Sequence, residues 1–189
     1  MFVITMTEEE KKIVEGCIKG KSDCQKKLYL LYGPMIKGIC QRYTKDEESA
    51  QDLFHDTFVF ILTHFKDFTN ISSLPGWLRK IAINKAIDYY RRENHYQVHS
   101  IEDMSEEPCA SGKTVNETLS MRDVVGFINQ LPLKQRTAFN LYVVEGFEQE
   151  EIVTMMDESA SNVRTLISRA KSTLRNKIGQ YLNKEDFSL

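Results

Sequence analysis

Apolar residues recur at intervals of three and four along most of the chain, the spacing that lines one face of an α-helix. Leu28, Leu31, Tyr32, Met35, Ile36, Ile39, Cys40 and Tyr43 form one such stripe, and Ala50, Leu53, Phe54, Phe58, Ile61 and Leu62 form the next. Thr7-x-x-Glu10 and Thr44-x-x-Glu47 have the form of capping boxes, in which two side chains satisfy amide donors of a first helical turn. Pro75 suits the start of a further helix, where its missing N–H leaves no hydrogen bond unmade. No alternation of period two persists for a useful length, so the pattern predicts an all-α protein.

The helical period lapses between residues 96 and 118, a polar stretch containing Pro108 and Gly112. It returns at Leu119–Leu131 and again at Leu133–Glu145, with Pro132 at the start and Gly146 as the stop. Two more helical segments follow, about Glu148–Met156 and Ala160–Gln180, separated by Asp157, Glu158 and Ser159, with Ser159 placed to cap the second. The predicted organisation is two small helical domains, residues 1–95 and 119–189, joined by a flexible acidic linker, residues 96–118. Fully extended, a linker of that length reaches about 70 Å.

Composition adds little to this until charge is mapped along the chain. Hydrophobic content of 41% and charged content of 28% are ordinary for a globular protein, and the formal net charge is −2. Yet residues 160–178 carry Arg164, Arg169, Lys171, Arg175 and Lys177 without one acid, and residues 77–92 carry Arg79, Lys80, Lys85, Arg91 and Arg92 against Asp88 alone. Between residues 93 and 121 the sign reverses: Glu93, Glu102, Asp103, Glu106, Glu107 and Glu117 face only Lys113. Two basic segments flanking an acidic one point to a polyanion touched at two places. No apolar run is long enough to insert into a membrane. The opening MFVITMTEEEKK lacks the basic region of a signal peptide, and Cys17, Cys24, Cys40 and Cys109 follow no disulfide-like spacing. Reduced thiols in a cytoplasmic protein are the expectation.

Helix, three-residue turn and longer basic helix over residues 148–180 make a helix-turn-helix, whose second helix enters a major groove by its N-terminal turns. Ser161, Asn162, Arg164, Thr165, Ser168 and Arg169 are then available to DNA, while Val163, Leu166, Ile167, Ala170 and Leu174 pack inward. An ordinary amphipathic hairpin with a solvated basic face has the same pattern. In residues 77–92, Lys80, Asn84, Asp88 and Arg91 fall on one helical face near Trp77, Tyr89 and Tyr90. Cations that track phosphates beside rings or pockets that take unstacked bases suit single-stranded DNA. Equally, Trp77 and Tyr89 fit a core, with the cations merely solvated. "GCIKGKS" (16–22) is no phosphate-binding loop: three residues separate its glycines where four are needed, and it follows a helical pattern rather than a strand. His95 and His99 are too few for a structural metal site, and no catalytic motif is present, so neither metal, cofactor nor enzymatic chemistry is expected.

Taken together these segments resemble a bacterial RNA polymerase sigma factor of the extracytoplasmic-function class, from about Ile13 to Ile178. "SAQDLFHDTFVFILTHFKDF" and "LPGWLRKIAINKAIDYYRRE" are similar to conserved region 2, and "INQLPLKQRTAFNLYVVEGFEQEEIVTMMDESASNVRTLISRAKSTLRNKI" to region 4. The resemblance implies a region 2 bundle and a region 4 helix-turn-helix. It further implies that Phe68, Arg79, Lys80, Asn84, Asp88, Arg91 and Arg92 serve melting and recognition of the −10 element, with Asn84 and Phe68 beside an unstacked base. Trp77 would brace the loop of residues 69–76. Arg164, Thr165, Ser168 and Arg169, with Ser161 and Asn162, would read the −35 element. Gln51, Asp52, His55, Asp56 and Val59 would grip the β′ coiled coil of core polymerase, and Phe139, Tyr142 and Val143 the β flap. Glu102, Asp103, Glu106 and Glu107 of the linker would imitate nascent RNA, and an anti-sigma factor would control the whole. A stand-alone DNA-binding regulator would have no use for the stripe of residues 77–92, and a protein-binding adaptor would not need Arg164 and Arg169.

Overall fold

The computed structural model describes residues 6–68, 73–99 and 120–185. Every regular element among them is helical: α1 (Glu8–Ile18), α2 (Ser22–Tyr43), α3 (Glu47–Thr63), a short 3-10 turn (Phe65–Asp67), α4 (Leu74–His99), α5 (Met121–Asn129), α6 (Leu133–Phe139), a π-helical stretch (Asn140–Glu145), α7 (Gln149–Met156) and α8 (Ala160–Glu185). The chain divides into two compact units, Met1–Tyr89 and Tyr90–Leu189, and the division falls inside α4. That helix runs to His99, four residues beyond the boundary at 95 drawn from the lapse of period. The linker acids Glu102, Asp103, Glu106 and Glu107, together with Cys109, lie outside the described residues.

In the first unit α1 packs on α2 and α2 on α3. The Thr7 box forms as expected: Glu10 N–H donates to Thr7 Oγ1 at 3.2 Å, and Thr7 N–H donates back to Glu10 Oε2 at 2.8 Å. Glu10 does a second job, accepting the Tyr32 hydroxyl at 2.9 Å and so tying the start of α1 to α2. Burial, and then this bond to a carboxylate, push the Tyr32 hydroxyl up to about 12. The turn between these helices is the "GCIKGKS" stretch. Gly16 lies within α1, and a side chain there would place its Cβ 2.6 Å from Cys24 Cβ, so the glycine permits the close approach of α2. Gly20 takes a left-handed φ of 69° to turn the chain.

Two local expectations need correction. Thr44 does not cap α3: it is buried at the C-cap of α2, where its hydroxyl donates to the Cys40 carbonyl at 3.0 Å. Asp46 is the cap of α3, accepting from Ser49 N–H at 2.7 Å. Leu31 leaves the apolar stripe of α2 and is 56% exposed, beside Leu30 at 63%. One turn on, Pro34 interrupts the ladder at a solvent-facing position, where water can satisfy the freed carbonyl. The core is filled by Leu28, Ile36, Ile39, Tyr43, Ile61, Phe65, Leu74 and Leu78, each 2% exposed or less. Cys17 and Cys40 belong to this interior as well, and burial pushes both thiols up to about 11.

In the second unit α5, α6 and α7 all pack on α8. Ser120 forms a capping box with Asp123 at the start of α5. The predicted helix of residues 133–145 is present, but its last turns widen into the π-helical stretch, and Gly146 ends it in the left-handed conformation with φ 79°. Ile152, Met156, Val163, Leu166, Ile167, Ala170 and Leu174 make the interior with Ala138 and Leu141.

Candidate nucleic-acid interface

The helix-turn-helix is built from α7, a turn and α8. Asp157 ends α7 with φ 53° and ψ 49°, the left-handed conformation for which glycine is usual. Its Cβ makes this a strained site, so Asp157→Gly is expected to raise stability by about 0.5–1 kcal/mol, read as a higher urea midpoint. Ser159 caps α8 as the sequence predicts, its hydroxyl accepting from Asn162 N–H at 3.2 Å. Glu158, a turn residue that no motif marks, secures the turn. It accepts from Lys134 on α6 at 3.0 Å and from the Asn162 side-chain amide. The pairing joins residues far apart in sequence, so no periodicity could have announced it.

From that anchored start α8 sorts its residues cleanly. Val163, Leu166, Ile167, Ala170 and Leu174 are buried, whereas Ser161, Arg164, Thr165, Ser168 and Arg169 are exposed. Asn162 differs from its neighbours in being half-buried, with its amide already held by Glu158. The outward set is a seam of small hydroxyl residues flanked by arginines. Such a surface can approach base edges closely, because Ser and Thr pair with several bases while Arg donates two bonds to guanine.

α4 carries the second basic surface, within the first unit as far as Tyr89. Leu78, Ala82, Ile83, Ala86 and Ile87 face the interior, and Arg79, Lys80, Asn84 and Asp88 are exposed. Arg91 and Arg92 are exposed on the continuation of the same helix. Lys85 is different: its ammonium lies 4.0 Å from the centre of the Phe60 ring, so it is an internal cation–π contact between α4 and α3. Trp77 packs against Phe65 and Phe68 with centroids 5.3 and 5.2 Å apart. Phe68 is only 9% exposed and is a member of this aromatic cluster at the start of the loop. Residues 69–72 of the loop that follows lie outside the described residues.

The helix α3 presents a separate face. Gln51, Asp52, His55, Asp56 and Val59 are all exposed, on consecutive turns of one side, and Val59 is 60% exposed despite being apolar. The opposite side holds Ala50, Leu53, Phe54, Thr57, Phe58 and Ile61. In the second unit Phe139 is buried within the cluster of Ile128, Leu131, Ala170 and Leu174, so it is not surface. Tyr142 is half-buried, with the Lys171 ammonium 4.8 Å from its ring centre, and Val143 is 47% exposed. No described helix is long and apolar enough to cross a membrane.

Comparison with known proteins places this arrangement. Two family models match in chain order: Sigma-70 region 2 over residues 28–96 and Sigma-70, region 4 over residues 121–174. The chain is 28% identical to the RNA polymerase sigma-H factor of Pseudomonas aeruginosa, with 88% of this chain and 92% of the relative covered. It is 24% identical to the ECF RNA polymerase sigma factor SigM of Bacillus subtilis, with 84% and 97% covered. Among solved structures, the sigma factor RpoE in complex with the anti-sigma factor NepR from Bartonella quintana aligns with a TM-score of 0.49 and 23% identity, covering 82% of this chain and 96% of that one. The chain belongs to the sigma factors of bacterial RNA polymerase, in their extracytoplasmic-function class. It is thus a transcription initiation factor whose helix-turn-helix lies in the DNA-binding region 4.

Proposed function

We propose that the protein joins core RNA polymerase as its promoter-recognition subunit, has no catalysis of its own, and acts in the cytoplasm without a cofactor. The domain of residues 1–95 docks on the polymerase and handles the −10 element; the domain of residues 119–189 reads −35. The outer face of α3, with Gln51, Asp52, His55, Asp56 and Val59, grips the β′ coiled coil. The exposed side of α4, with Arg79, Lys80, Asn84, Asp88, Arg91 and Arg92, takes the melted −10 strand. Arg and Lys offset the cost of unstacking through phosphate contacts, and Asn84 and Asp88 offer the directional bonds that a base edge needs. Phe68 supports that surface from behind through Trp77. Ser161, Arg164, Thr165, Ser168 and Arg169 read the −35 duplex, while Asn162 holds the turn. Val143 and the open part of Tyr142 meet the β flap, the linker follows the path of nascent RNA, and an anti-sigma factor controls access to the polymerase.

The observation that carries this reading is the clean separation on α3 and α8, where every apolar anchor faces in and the residues assigned to partners face out. Val59 lies exposed among Gln51, Asp52, His55 and Asp56, where a docked protein would cover it. The deciding experiment mixes the purified protein with core polymerase from its own source and follows co-elution. Stoichiometric co-elution, with weak promoter binding by the free protein, supports the reading. No co-elution together with tight, salt-sensitive duplex binding by the free chain makes it a stand-alone regulator instead. In the assembled complex Arg164→Ala is expected to weaken −35-dependent binding by about 1–3 kcal/mol and to relax preference at one position. An unchanged footprint over −35 removes Arg164 from base reading.

A further inference from the structure

The five cations that α8 carries between residues 160 and 178 are not equivalent. Lys171 leans over the Tyr142 ring, and Lys177 donates to Gln130 Oε1 at 2.6 Å, so both are engaged within their own unit. Arg164 and Arg169 belong to the turns already assigned to the −35 element. Arg175 is the remaining one. It is exposed, it lies one residue beyond the segment matched by the region 4 model, and no described acid pairs with it. It stands eleven residues after Arg164, which on an α-helix is about three turns, a rotation of only about 20° and a rise of about 16 Å. Arg175 thus continues the edge of α8 that Arg164 begins.

A major groove is about 12 Å wide and 8.5 Å deep. A helix that enters by its N-terminal turns has left the groove floor by the time it has risen about 16 Å, so a cation there meets the phosphate rim instead of a base. We propose that Arg175 is a positioning residue that anchors α8 to a backbone phosphate at the groove wall and sets the register in which Arg164 and Ser168 reach the bases. The inference rests on the reading of α8 as the −35 helix. A contact of this kind adds affinity without sequence preference and appears in the salt dependence of binding.

The test uses the full chain assembled with core polymerase. Its probes are a −35 duplex selected by the unaltered complex from a random pool and a scrambled duplex of equal length. Arg175→Gln is expected to lower the slope of log affinity against log salt by about 0.9 on both duplexes. Between 50 and 200 mM salt this is a roughly three- to fourfold smaller loss of affinity. Arg175→Lys restores the slope, since a phosphate accepts any point charge, and Lys177→Gln leaves it unaltered. Matching unfolding midpoints for the variants confirm that the fold is intact. An unchanged slope in Arg175→Gln, while Arg164→Ala still impairs the selected duplex, overturns the inference alone. So does a loss confined to the selected duplex, which makes Arg175 a base reader. If the unaltered complex selects no −35 sequence at all, the reading of α8 falls and the anchor with it.

Discussion

Replacing Arg136 by alanine is expected to lower the stability of the second unit by about 2–4 kcal/mol, adding a cavity to an unmet carbonyl. Arg136 is 2% exposed, and its guanidinium donates to the carbonyl of Asn129, the last residue of α5, at 3.0 Å. A helix leaves its final carbonyls without intrahelical partners, and its C-terminal end attracts a cation. The arginine of α6 therefore closes the end of α5 from the side, beneath the helices that hold α8. Arg136→Lys should recover little, because one compact ammonium on a thinner stem fills neither the space nor the forked geometry. The two units need separate reporters, since a chain of two units has no single unfolding transition to rely on. Trp77 is the only tryptophan and lies in the first unit, so its fluorescence should hold its midpoint while helical circular dichroism shows a second, earlier transition. Coincident transitions at the unaltered midpoint would mean that Arg136 is dispensable.

How much of this could be read from the chain depends on what kind of fact each residue expresses. Helices were legible because burial imposes a period: Ile36, Ile39, Cys40 and Tyr43 are spaced for one face and all are buried there. The helix-turn-helix was legible for the same reason, since the residues α8 must bury and those it can expose alternate with the turn. Caps were legible unevenly, since rival side chains stand within two residues of each of them. Thr7 caps α1 although Thr5-x-x-Glu8 offers the same pattern two residues earlier, and at α3 Asp46 accepts from Ser49 N–H while Thr44 is turned to the Cys40 carbonyl. Leu31 fits the α2 stripe by spacing yet meets no covering helix, which is a tertiary fact.

The candidate sites divide along the same line. Exposure of Asn84, Asp52 or Arg164 follows from helical phase, and phase is written in the apolar residues opposite. Phe68 and Phe139 are aromatic residues beside a loop and a π-helical stretch, where phase is lost, and a ring reads identically whether it faces in or out. Lys85, Lys171 and Lys177 counted as surface charge in the sequence, but each rests on a partner from another element. Asp157 is the converse case: its turn was evident, but a left-handed φ on a residue with a side chain leaves no compositional mark.

Leu78→Ala should produce the largest loss in the first unit, about 2–5 kcal/mol, the range for a leucine removed from a close-packed core. Leu78 is fully buried, next in sequence to Trp77 and to Arg79 and Lys80, whose exposure it secures by holding the inner side of α4. Here the Trp77 fluorescence midpoint should fall while the second unit keeps its own, the mirror image of the Arg136 result. Leu78→Met, close in volume, should cost less than about 1.5 kcal/mol. The pair also separates packing from recognition. If α4 acts on −10 DNA through its outer face, Leu78→Ala should impair promoter opening only near the temperature at which Trp77 reports unfolding, and recover on cooling. Asn84→Ala should leave that temperature unmoved and impair opening throughout. Loss of opening in Leu78→Ala well below its unfolding midpoint would show that the inner face of α4 sets the geometry of the outer one more tightly than helical rigidity requires.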